Sequence, residues 1–119
     1  MPIWLPPVTA TGVEKRLECW AVFEVLVPEL AEPTLHVAGL MTTDGTGRVS
    51  SPLASIDEAN RRVVTTTGGV YKLIGLPGLR GNGLYVWRQW LQLWDAEALA
   101  DATPAFERRF LDAGDEHAE

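Results

Sequence analysis

Five side chains carry the groups of a nucleophilic relay: His36, Ser50, Ser51, Ser55 and Asp57. A hydrolytic serine is usually presented on a strained turn such as G-x-S-x-G, and the chain has no such elbow. Serines on strand surfaces are ordinary, so these residues read first as solvent-facing side chains of strands, with His36 a satisfied strand histidine. Asp57-Glu58 is an adjacent carboxylate pair. Arg61 and Arg62 stand close in sequence and keep both acids ionised, whereas acid–base work needs two pKa values driven apart. The glycine-rich run Gly75-Leu-Pro-Gly78-Leu-Arg-Gly81-Asn-Gly83 precedes a helix, where a phosphate cradle would sit. Its spacing is neither G-x-G-x-x-G nor a P-loop, which leaves Arg80 as a weak anion contact in a strand-to-helix connector. Cys19 is the single cysteine. It reads as an inert thiol on the apolar face of a strand. One cysteine and two histidines (His36 and His117) provide no disulfide and no Cys-based zinc site, so neither a metal nor a cofactor is expected.

Tryptophan is the most unusual feature, with five in 119 residues. Trp87, Trp90 and Trp94 fall on one side of a helical wheel with Leu84, Val86, Leu91 and Leu93. Tyr85, Arg88, Gln89 and Gln92 fall on the other. The apolar arc covers about half the circumference, wider than the ~100° stripe of an ordinary surface helix. One sheet face does not cover so wide an arc. Part of it, Trp87 or Trp94, is therefore expected to stay exposed as an anchor for a partner, together with Trp20 and Tyr85.

The elements that hold these residues follow from periodicity. Residues 16–27 alternate as a long half-buried strand, with Leu17, Cys19, Ala21, Phe23, Val25 and Val27 on one face. Residues 35–43 make a second strand. Asp44-Gly45-Thr46-Gly47 is a turn. A third strand spans about 48–56; Pro52 inside it marks an edge or a bulge. Asp57–Asn60 is a hairpin loop with Asn60 left-handed, and strand four covers residues 61–66. Gly68-Gly69 is a turn, and strand five covers 70–75. The Trp helix begins at Asn82 or Gly83 and must stop near Trp94–Asp95, because Glu97 and Asp101 would otherwise enter its apolar arc. A short last helix runs from Thr103 to Ala113, with Thr103 as N-cap, Pro104 at N1, Gly114 at C′, and Phe106 and Phe110 as its stripe. The expected fold is α+β: a four- or five-stranded antiparallel meander covered by the Trp-rich helix plus the short last helix. Residues 1–13 read as an extended arm, 14–113 as one domain, and 114–119 as an acidic tail.

One stretch resembles a group of small uncharacterised proteobacterial proteins. It comprises Arg48-Val-Ser-Ser-Pro52, Ile56-Asp57, Arg62-Val-Val-Thr65, Gly69-Val-Tyr71, Leu73-x-Gly75, Pro77-Gly78 and Tyr85-Val-Trp87-x-x-Trp90. The resemblance covers about a third of the chain and implies the meander-then-helix layout, with no activity attached.

Charge is segregated. Residues 1–94 carry eight acids and eight bases, so the net charge of −6 falls on residues 95–119. No apolar run reaches the ~20 residues of a membrane-spanning helix. Met1–Pro7 lacks the basic and apolar regions of a signal peptide. A cytoplasmic setting is the simplest fit to one cysteine. The acidic segment would repel a phosphate backbone, so no direct nucleic-acid binding is expected. With no catalytic constellation, the sequence favours a non-catalytic protein-interaction module. Trp20, Tyr85, Trp87 and Trp94 would supply its apolar contacts, and Asp95, Glu97 and Asp101 its charge. A small inhibitor or accessory factor fits, for instance a mobile-element protein that blocks the basic groove of a defence complex such as CRISPR–Cas. Two alternatives remain. One is a small-molecule binder or hydrolytic enzyme in which His36, Arg80 and the glycine-rich loop converge. The other is a structural homodimer closed by the helix face or the Pro52 edge strand.

Overall fold

The computed structural model describes residues 14–117, with side chains to Ala113. The expected arm, residues 1–13, lies outside the described residues. Chain order is β1 (Lys15–Leu26), β2 (Thr34–Met41), β3 (Gly47–Val49), β4 (Leu53–Asp57), β5 (Arg62–Thr65), β6 (Val70–Ile74), α1 (Gly81–Leu93), β7 (Glu97–Asp101) and α2 (Thr103–His117). The fold is α+β, as expected. The sheet is mixed and seven-stranded, not a four- or five-stranded antiparallel one.

The expected third strand is really two. Pro52 ends the run, and Ser50–Pro52 separates β3 from β4. In the order β3-β2-β1-β6-β5-β4 these two pieces are the opposite edges of the path. Laid flat, six strands put their edges about 24 Å apart. The link from Val49 to Leu53 spans at most about 15 Å. The sheet must therefore curl. The curl is visible in side chains: Arg48 Nε of β3 donates to the Tyr71 hydroxyl of β6 at 3.2 Å, across β2 and β1. The split also explains the mixed pairing. Because β3 and β4 continue one extended run, they share a direction, and the β4–β5–β6 meander then delivers β6 parallel to β1.

A bulge in β1 decides which residues face the inside of the curl. Glu18 pairs with Leu40 but Ala21 pairs with Ala38, one residue more on β1 than on β2. Cys19 sits at the bulge with φ 48° and is half-buried, not in a regular apolar row. The extra residue shifts the alternation by one. Leu17, Trp20 and Val22 therefore share the inner core with Val37, Val63, Tyr71, Leu73, Phe106 and Phe110. Phe23, Val25 and Val27 face outward, with Ala38, under Trp87, Leu84, Trp90 and Leu91 of α1. Each helix thus closes one face of the sheet, α2 the inner and α1 the outer, where the sequence suggested both as a single cover.

Trp20 is completely buried, which corrects its expected exposure. Its indole N–H donates to Gly75 O at 3.2 Å. The Arg61 guanidinium donates to the same carbonyl and lies 5.1 Å from the Phe110 ring centre, while Trp20 meets that ring edge-on. Arg61, not Asn60, takes the left-handed conformation at φ 56°. Asn60 instead donates through its side chain to Asp57.

β1 has two neighbours on one side, β6 along Lys15–Glu18 and β7 along Phe23–Leu26. The gap between them is filled by hydrogen bonds from outside the strands. Gly78 N–H donates to Trp20 O, and Ala102 N–H donates to Val22 O. The buried Thr103 hydroxyl accepts Val22 N–H at 2.9 Å and donates to Val22 O at 3.3 Å. Thr103 therefore serves the sheet, not the helix it starts. The cap role passes to Asp101, whose carboxylate accepts Thr103 N–H at 2.9 Å at the positive end of α2. α2 also runs past Ala113, through Gly114, to His117.

α1 starts at Gly81 with Arg80 as its N-cap residue and no side-chain cap. It crosses β3 so closely that a Cβ on Gly47 would lie 2.7 Å from Val86 Cγ2. The wheel's prediction that the helix stops near Trp94–Asp95 holds. No helix among the described residues is long and apolar enough to cross a membrane.

Two substitutions test these joints by urea unfolding. Thr103→Val keeps the volume and leaves Val22 N–H buried without an acceptor; we expect a loss of about 1–3 kcal/mol. Gly47→Ala overpacks the α1–β3 contact and should cost about 1–3 kcal/mol. A Thr103→Val protein as stable as wild type would show that the gap in β1 is bridged without the hydroxyl.

Candidate functional site

A ladder of aromatic rings climbs from the outer core to the surface along α1. Phe23 stacks on Trp87 with ring centres 4.6 Å apart, and Trp87 stacks on Trp90 at 5.6 Å. His36 leans against Trp90 at 4.7 Å. Trp87 is buried, so the expected exposure of this residue is corrected. Trp90 is half-buried and lines two surface concavities. One, with Val86, Gln89 and Leu93, is a shallow groove along α1. The other is a cleft of about 330 Å³ between α1, the β1–β2 loop and the Ser50–Pro52 link, with Leu30, Glu29, His36 and Trp94 in its wall. The surplus of the helical arc emerges here: Leu93 is 79% exposed and Trp94 43%. Tyr85, 61% exposed, lies on the polar side of α1 and bonds to Gln89.

The end of α1 is unusual in chemistry. Asp95 N–H donates to Gln92 O and Ala96 N–H to Leu91 O, the paired bonds of a Schellman closure. The residue at its left-handed position is Asp95, with φ 50°. Glycine fits that conformation without cost, and an acid at the negative end of a helix dipole is unfavourable. The last turn of α1 contains no basic residue. Asp95 therefore stands against two local preferences, on the surface, next to the exposed Trp94. Glu97 follows on β7, opposite Leu26. No ion pair among the described residues involves Glu24, Glu29, Glu32, Asp95 or Glu97. Every residue of β7 is exposed, and the strand has an irregularity against Glu24–Val25 and an acid at each end, features that blunt a strand edge.

The opposite end of β1 is basic. Lys15, Arg16, Arg62 and Lys72 lie on adjoining strands around Glu14. Arg62 donates to Glu14 and, with weaker contributions from Lys72 and Arg16, holds its carboxyl below the usual range.

The candidate relay residues do not assemble into a relay. His36 Nδ1 lies 2.9 Å from Ser50 O, and Nε2 lies 2.7 Å from Thr34 Oγ1. The carbonyl requires a proton on Nδ1, so neutral Nε2 accepts from Thr34. The Ser50 hydroxyl donates to Ser51 O and accepts Val37 N–H. Asp57 serves its turn through Asn60. His36, Arg80 and the glycine-rich loop do not converge: the cleft wall has His36 without Arg80, and Gly78 lines a different depression beside Phe23 and Thr103. Among the described residues no group of three metal-binding side chains is brought together. Asp95, Glu97 and Trp94 do gather, at the end of α1 and on β7, while Asp101 stands apart as the cap of α2. The cleft wall drawn from Leu30, Glu29 and Pro52 was missed by sequence reasoning, because it joins three segments far apart in the chain.

No family model, curated protein or solved structure matches this chain. The resemblance over residues 48–90 therefore brings no residue role to the cleft.

Burial lowers the pKa of His36, partly offset by its bond to Ser50. The folded state keeps the ring neutral, while the unfolded chain takes up a proton below about pH 6.5. Stability from this site is complete above that pH and falls as pH drops through it, at no more than about 1.4 kcal/mol per pH unit. We expect wild type to lose stability between pH 7 and 5 more steeply than His36→Gln. Parallel curves from urea unfolding would show that His36 titrates alike in both states.

Proposed function

We propose that this protein is a non-catalytic protein-binding module, an inhibitor or accessory factor that engages a partner with a basic surface. Its docking face is the C-terminal end of α1, where Leu93 and Trp94 stand exposed beside Asp95, Glu97 and Glu29. The observation that carries this reading is Asp95. A residue kept against both backbone preference and helix dipole, at an exposed position next to a tryptophan, fits selection for something other than stability. Tryptophan gives such a face its apolar anchor, and unpaired acids give it steering and salt sensitivity. The basic nucleic-acid groove of a defence complex such as CRISPR–Cas is one partner of this chemistry. A single cysteine, half-buried at a bulge, agrees with work in the cytoplasm. Of the sequence's aromatic candidates, Trp94 and Tyr85 remain available for contact. Of its acids, Asp95 and Glu97 do, while Asp101 has a structural partner.

Asp95→Gly separates function from stability. Relief at the left-handed position should stabilise the fold by about 0.5–1 kcal/mol, measured by urea unfolding. Capture of a partner from native lysate by the immobilised chain should fall at the same time. Trp94→Asp should abolish capture, and added salt should weaken it. Capture that both variants leave unchanged would sink the reading. Sedimentation at two concentrations covers the homodimer: a dimer dissolved by Trp94→Asp would replace the module with self-association.

A further inference from the structure

We propose that the cleft between Trp90, Trp94 and Glu29 is a receptor for an arginine side chain presented by a basic partner segment. This rests on the docking reading above and names the chemistry of its central contact. The cleft is about 330 Å³, at the low end of ligand cavities and roomy enough to admit one long side chain with its hydrating water. Its wall is mainly apolar: Val27, Leu30, Val49 and Pro52 accompany the two tryptophans. An apolar wall favours a long hydrocarbon stem, and indole faces favour a planar cation at its tip. Glu29 is the one charged residue among the described residues of the wall. It forms no ion pair among the described residues. The negative end of α1 closes the cleft at Trp94, without a basic residue in its last turn. A cation is therefore what the site's charges lack.

Preorganisation favours a specific contact over a diffuse one. The Phe23–Trp87–Trp90 stack and the tilted His36 hold Trp90 from behind. His36 stays neutral in this position because burial lowers its pKa, so it does not repel the guest. Guanidinium is the better guest than ammonium. It is planar, more weakly hydrated, and can face an indole while giving N–H donors to a carboxylate.

The test titrates the folded full chain with hexa-arginine, hexa-lysine and hexa-citrulline peptides, by tryptophan fluorescence and calorimetry. Hexa-arginine should bind, hexa-lysine more weakly, and the uncharged hexa-citrulline weakest. Trp94→Ala should weaken hexa-arginine by about tenfold or more. Trp94→Phe, which keeps a ring, should retain most of the affinity and guards against a folding artefact. Glu29→Gln should weaken it by about threefold or more, and Asp112→Asn, on the exposed side of α2, by less than about twofold. Equal losses in Glu29→Gln and Asp112→Asn would mean diffuse attraction and overturn the proposal, as would hexa-citrulline binding as tightly as hexa-arginine or hexa-arginine failing to bind. Partner capture lost in Trp94→Asp while hexa-arginine stays unbound would sink the arginine site and spare the docking module. Hexa-arginine bound at the cleft with no partner captured would do the reverse.

Discussion

Three residues, Ser50–Pro52, join the two edges of the sheet path. That link is too short to cross a flat sheet, and most of the architecture follows from it. It makes the sheet curl, so that β2 and β4, far apart in strand order, come within 8 Å of each other. The curl creates an inner space, which Leu17, Trp20, Val22, Tyr71 and Leu73 fill and the two phenylalanines of α2 close. It also leaves an outer face on β1 and β2, and α1 lies there. The link itself becomes a wall of the cleft. The same proline that stops a strand thus shapes the surface where a ligand would meet the protein.

Local structure then has to accommodate a strand with two different neighbours. β1 changes its alternation at Cys19 and its partner between Glu18 and Phe23. The bulge turns Trp20 inward. The gap left between β6 and β7 exposes backbone groups at Trp20 and Val22, which Gly78, Ala102 and Thr103 satisfy. An unmet N–H there would cost about 1–3 kcal/mol. The α2 helix is therefore fixed by polar pairing at its start and by Phe106 and Phe110 along its length.

Features encoded within a few residues were legible in the sequence. Gly68-Gly69 forms its turn, the α1 arc stops at Trp94, and Phe106 and Phe110 make the buried stripe of α2. Features that depend on distant pairing were hidden. Nothing near Cys19 announces an extra residue, because a bulge is defined against the partner strand. Arg48–Pro52 reads as one extended run, and only the positions of β2 and β5 show that it serves two edges. Glu97–Asp101 looks like an acidic connector; its pairing with β1 makes it a strand. The wheel correctly found more apolar surface than one face could cover. It could not decide that Trp87 lies under the surplus and Trp94 within it, because that depends on where β1 and the β1–β2 loop end.

The position of that surplus explains why charge and aromatic surface meet. α1 must end before Asp95, since two further acids would enter its buried arc. The chain then turns back along β1, which brings Asp95 and Glu97 beside the loop that carries Glu29 and Leu30. Acids that sequence places in separate segments thereby lie on the elements next to Trp94, the most exposed tryptophan among the described residues. At the far end of β1, Lys15, Arg16, Arg62 and Lys72 lie on adjoining strands, with Arg16 and Arg62 paired to Glu14, so the curled sheet is richer in bases at one end and in acids at the other. Charges so far apart along a strand are largely screened from each other at physiological ionic strength, where the Debye length is about 8 Å. The acidic end is consequently free to act on what approaches it. A neutral histidine and a braced indole beneath it provide a firm apolar floor. On the proposed reading, negative potential over such a floor would select by both charge and shape, because a guest would have to carry a cation and also bury its stem.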